Sequence, residues 1–127
     1  MRMDILMVSR YKMTVNKEVV VKRDKDLREY LYKVTSEARA SIAYSIWEYL
    51  NKTIIKLEVP DIGVGPNDQL MYIWDNGPHH FELEMLSDGT NEIFYRNRVT
   101  GELWNSSYTE NGVISNKGIE KLNLFLI

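Results

Sequence analysis

The stretch from Leu70 to Trp104 constrains this chain most: three short periodic runs are separated by Asp75-Asn76-Gly77, Asp88-Gly89 and Thr100-Gly101. Glycine-containing turn signals between runs of alternating apolar and polar residues read as an antiparallel β-meander. In the middle run Phe81, Leu83 and Met85 alternate with His80, Glu82 and Glu84, so one face is expected to meet a core and the other water. Gly stands third in Ser87-Asp88-Gly89 and in Val99-Thr100-Gly101, where a three-residue loop with a bulge wants it.

With those loops Ile93 and Tyr95 fall on the core face beside Leu83 and Phe81. Phe94, Arg96 and Arg98 then join His80, Glu82 and Glu84 outside. Across the last turn Arg98 is expected opposite Glu102, Asn97 opposite Leu103, and Arg96 opposite Trp104, which places Trp104 and Glu102 on the outer face too. A slip of one residue would invert these assignments. Pro78 after Asn76-Gly77 leaves the first hairpin's register open, so either face suits Tyr72 and Trp74.

One principal helix is expected ahead of the meander. Asp26 and Glu29 have capping-box spacing, and Leu27, Leu31, Val34, Ala38, Ile42, Ile46 and Leu50 step by three or four along one face. Tyr44 and Trp47 lie off that stripe and are read as core packing. Before the helix, Met3 to Val8 and Met13 to Val21 suggest an N-terminal hairpin turning at Asn16-Lys17. After it, Ile54 to Val59 reads as extended. Residues 60–68 hold two of the three prolines and two of the seven glycines and read as a connecting loop; no Gly-Lys-Ser/Thr follows, so it is no phosphate loop. Asn105 to Asn111 is polar, and Gly118 to Ile127 suits a helix somewhat better than a strand. Its apolar end belongs against a core or a partner.

The 127 residues suffice for one core, so residues 1–127 are expected to form a single domain of α+β class, the helix packed on a mostly antiparallel sheet. A formal charge of −2 offers no global attraction to nucleic acid or anionic membrane. Cysteine is absent, which removes disulfides, thiol catalysis and thiolate metal sites. The Met-rich start carries Asp4 and Arg10 and lacks signal-peptide features, and no run approaches the roughly 18 apolar residues of a membrane span. A cytoplasmic protein without membrane association is the expectation.

The string Trp74-Asp75-Asn76-Gly77-Pro78-His79-His80-Phe81-Glu82-Leu83-Glu84, with Asp88-Gly89, Glu92-Ile93-Phe94-Tyr95-Arg96-Asn97-Arg98 and Thr100-Gly101-Glu102-Leu103-Trp104, resembles a recurring pattern in small uncharacterised bacterial proteins. The resemblance covers the middle third of the chain. It implies that the meander is a shared module and transfers no catalytic residue.

Three chemistries compete for the outer face. His80, Glu82 and Glu84 could serve a metal-assisted hydrolase or nuclease centred on His80 and Glu82. Alternate strand residues, however, stand about 7 Å apart, too far for three to grip one ion unaided. No nucleophile elbow or triad spacing accompanies them. Arg96, Arg98, Phe94 and Trp104 could bind single-stranded nucleic acid, against repulsion from Glu82, Glu84 and Glu102. Aromatics and Arg among mixed charges suit a protein interface better. The expected function is therefore a non-catalytic protein-binding or self-assembling domain. Its binding face comprises His80, Glu82, Glu84, Phe94, Arg96, Arg98, Glu102 and Trp104, with no catalytic residue, cofactor or metal assigned. The competing expectation for that face is cover by the chain's own ends.

Overall fold

The computed structural model describes residues 17–19, 23–108 and 114–127. Its elements run β1 (Lys17–Val19), α1 (Asp24–Val34), α2 (Glu37–Thr53), β2 (Asp61–Val64), a 3-10 turn (Pro66–Asp68), β3 (Leu70–Asn76), β4 (His79–Met85), β5 (Asn91–Asn97), β6 (Leu103–Tyr108) and α3 (Asn116–Leu122), with a closing 3-10 turn at Asn123–Phe125. The strands form one antiparallel sheet in the order β1-β2-β3-β4-β5-β6. This is an α+β fold.

Two helices stand where the spacing suggests one. Thr35 is extended, and the Ser36 side chain accepts a hydrogen bond from Arg39 N at 3.2 Å, so a fresh helix is capped at that point. The break resets the helical phase. Leu27 and Leu31 are buried as expected, but the buried stripe of α2 is Ala40, Ala43, Trp47 and Leu50. Ala38 is exposed and Ile42 is 60% exposed. The cap also differs: α1 begins at Asp24, and Asp26 pairs with Arg23 at 2.9 Å. Asp24 itself accepts from the Trp47 indole and from Tyr44 Oη, which fixes α1 against α2.

Helices and closing turn share one face of the sheet. Their apolar residues meet Leu70, Tyr72, Trp74, Phe81, Leu83, Met85, Ile93 and Tyr95. The first-hairpin question resolves through a two-residue Gly77-Pro78 turn, with Asn76 opposite His79 and Gly77 at φ +54°. That register turns Tyr72 and Trp74 inward. The polar ends of these rings find acceptors at Ala43 O and Glu58 O, which removes the cost of burying them.

Residues 60–68 are not all loop, because Asp61–Val64 pairs with both β1 and β3. Asn105 to Tyr108 likewise extends the sixth strand rather than starting a polar connector. Lys17, expected at a turn, pairs with Val64; the rest of the expected N-terminal hairpin lies outside the described residues. At the other end Leu122 and Phe125 enter the core, and Leu126 bridges to Leu57.

Candidate functional site

The Ser87-Asp88-Gly89 loop forms as its glycine demands: Leu86 N donates to Thr90 O at 2.9 Å and Gly89 lies at φ +91°. Pairing across β4 and β5 then places His80, Glu82, Glu84, Phe94 and Arg96 together on the face away from the helices. The next turn differs. Asn97 Oδ1 accepts from Val99 N and Thr100 N, and Asn97 N donates to Glu102 O, so four residues rather than three span it. Tyr95 therefore opposes Trp104, and Arg96 opposes Leu103.

This one-residue change corrects two of the expected site residues. Trp104 turns to the core side, packs against the core cluster and carries the Lys117 ammonium 5.3 Å from its ring centre. Glu102 pairs with Lys121 of α3 at 3.0 Å, also away from the outer face. Arg98 lies past the end of β5 but reaches back to Asp75 at 2.7 and 3.0 Å and to Gly77 O at 2.8 Å.

Much of the outer face is buried rather than wet, although Glu92 on it is exposed and Arg96 half-buried. Met71, Ile73, His80, Glu82, Glu84 and Phe94 are all buried within the single chain, Phe94 to 4% exposure. Of the expected outer-face residues His80, Glu82, Glu84 and Phe94 are thus buried, whereas Arg96 is half-buried and Arg98 exposed.

Within that face His80 is matched on both sides. His80 Nδ1 lies 2.6 Å from Asp75 Oδ2 and Nε2 lies 2.9 Å from Glu82 Oε2, so a carboxylate faces each ring nitrogen. Only the imidazolium can donate to both. Burial opposes that charge, but the hydrogen bonds to Glu82 and Asp75 and their charges outweigh it and raise the His80 pKa. Burial would likewise raise the carboxyl of Asp75, yet hydrogen bonds from Arg98 and His80 hold it below the usual carboxylate value. Asp75, a residue that sequence reasoning treats only as a turn former, thus joins two cations. Its role follows from the Gly77-Pro78 turn, which sets it opposite His80.

Both His80 nitrogens being engaged, neither offers a lone pair to an ion or a substrate proton. Among the described residues no group of three or more His, Cys, Asp or Glu side chains is placed to hold a metal. Glu84 accepts from Gln69 at 3.2 Å.

A second concavity escaped the sequence reading. A half-open groove of about 450 Å³ runs between α2 and the β4–β5 turn, lined by Ile42, Ile46, Tyr49, Met85, Leu86 and Asn91 among others. Arg39 is also part of the lining. Its guanidinium donates to Leu86 O at 2.8 Å, Met85 O at 3.1 Å and Asp68 O at 2.6 Å. Thr35 Oγ1 in turn donates to Asp68 at 2.9 Å. The signal for this groove lay in Ile42 and Ile46, whose spacing is helical and whose face only the break at Ser36 redirects.

Compared with protein-family models, curated proteins and solved structures, the chain matches none. What fold and site define is a class by architecture: among the described residues, a six-stranded antiparallel sheet with its helices on one face and a largely buried opposite face that holds the Asp75–His80–Glu82 row. No described helix is long and apolar enough to cross a membrane.

Proposed function

We propose that this chain is a non-catalytic, self-assembling interaction domain and that its contact surface is the apolar corner where the closing segment meets the end of α2. One observation carries this reading. Ile55, Leu126 and Ile127 are 77%, 47% and 79% exposed, and Ile127 N donates to Lys56 O at 2.9 Å beside the Leu57–Leu126 bridge. The fold thereby gathers apolar side chains at one corner, where water contact is unfavourable and a second copy would remove it. Four of the residues expected to do this work from the outer face, His80, Glu82, Glu84 and Phe94, are buried, so the reading keeps the expected class and moves its surface. A cytoplasmic setting fits the absence of cysteine.

Sedimentation velocity over a hundredfold concentration range tests it. A concentration-dependent dimer that Ile55→Lys with Leu126→Lys returns to monomer is the expected result. A monomer at every concentration overturns the reading.

The hydrolase and nucleic-acid readings find less support. The first needs a free ring nitrogen on His80, and the second needs Phe94 open to a base.

A further inference from the structure

We infer that the groove between α2 and the β4–β5 turn is a binding site for a small neutral molecule that joins an apolar body to a planar amide-type edge, with Asn91 reading that edge. This goes beyond the assembly corner and involves none of its residues.

Asn91 is the reason. It is 6% exposed, on the helix-facing side of the sheet in register with Met85, where the neighbouring core positions of the same face are Leu83 and Ile93. No hydrogen bond joins its carboxamide to another described residue, although it lines the groove. The carboxamide's polar atoms are open to the groove rather than sealed from water, and an amide-type edge, with one donor and one acceptor side by side, has the pattern that pairs with them.

The walls fix the rest of the ligand. Ile42, Ile46, Met85 and Leu86 supply apolar surface, and Ile42 remains 60% exposed in the folded chain. The volume of about 450 Å³ lies within the roughly 300–1,000 Å³ usual for small-molecule sites. Charge is the discriminating feature. Among the described residues Arg39 is the one ionised side chain in the lining; its two terminal nitrogens donate to three backbone carbonyls, and Nε, buried without a hydrogen-bond partner, lies 3.8 Å from Asp68. Among these residues the groove therefore offers an anion no exposed, uncommitted N–H and a cation no carboxylate. The Ser41, Ser45 and Ser87 side chains add neutral polarity to the lining.

Benzamide, benzoate and toluene serve as probes, titrated into isotope-labelled full-length protein and followed by NMR. Saturable shifts with benzamide at the Asn91 side-chain amide and at the Ile42, Ile46 and Met85 methyls are expected, with benzoate binding at least tenfold more weakly. Asn91→Leu should weaken benzamide by about tenfold, the loss of one hydrogen-bonded pair, while toluene still shifts the Ile42 methyl. Ile42→Lys, at a surface position where folding is not at risk, should abolish both. Indistinguishable binding of all three probes, insensitive to Asn91→Leu, overturns the proposal, as does no saturable shift with any. Saturation by an N-acetylated trileucine peptide but not by benzamide overturns it in favour of a protein segment.

Discussion

Asp75 and His80 face each other directly across β3 and β4, with Oδ2 of the carboxylate 2.6 Å from Nδ1 of the ring. Glu82 holds the ring's other nitrogen and Arg98 the carboxylate's other side. The result is an alternating row of charges whose protonation is linked to folding.

That linkage predicts a pH profile with two limbs. The His80 pKa is raised in the folded state, so its contribution is complete below the unfolded value of about 6.5 and is lost as pH rises through the folded value. The Asp75 pKa is lowered; its contribution is present above about 3.9 and is lost as pH falls through the folded value. Urea midpoints measured across pH should therefore plateau between those two limits and fall on either side. His80→Gln should flatten the alkaline limb. An unchanged alkaline decline in that variant would show that His80 is not its source.

Phe94 distinguishes a covered face from an open one. At 4% exposure, Phe94→Ala should cost about 3–5 kcal/mol, as for other buried aromatics. Were the face open to solvent, the same change would stay within roughly 0.5 kcal/mol. Equilibrium unfolding in urea reads the difference.

Asp24 is the acceptor for two aromatic donors of α2. Removing it in Asp24→Ala leaves the buried Trp47 indole N–H without a partner, at a cost of about 1–3 kcal/mol. Asp24→Asn, which keeps one carbonyl oxygen, should lose less. Equal losses in the two variants, again by chemical denaturation, would contradict this account.

Lys56 follows α2 at φ +69°, a left-handed conformation that costs an L-residue roughly 1–2 kcal/mol. Lys56→Gly relieves most of this, less the greater chain entropy of glycine when unfolded. A net gain of about 0.5–1 kcal/mol is expected, seen as a raised melting temperature. A lowered one would mean that Lys56 contributes through its side chain.

Turn chemistry separates what was legible from what was not. Ser87-Asp88-Gly89 and Val99-Thr100-Gly101 have the same glycine placement, and both glycines adopt positive φ. Only the first forms the three-residue loop. In the second, Asn97 captures two backbone amides ahead of it and lengthens the turn by one residue, which is why Phe94 was placed on the correct face and Trp104 on the wrong one. Tyr72 and Trp74 could not be oriented because Gly77-Pro78 admits more than one register until β4 closes on β3.

The amino-acid sequence by itself determined the meander, the inward face of β4 and β5, the class of the fold and, of the apolar C-terminal run, the packing of Phe125. Each rests on local periodicity and on glycines whose backbone freedom a turn requires. Tertiary structure alone decided the rest: the break at Ser36 that turned Ile42 toward a groove, the pairing of Asp75 with His80, and the burial of His80, Glu82 and Glu84, which alternation would assign to water. Such outcomes depend on which distant segments meet, and a charged side chain is as compatible with a matched, covered network as with solvent until its partners are in place.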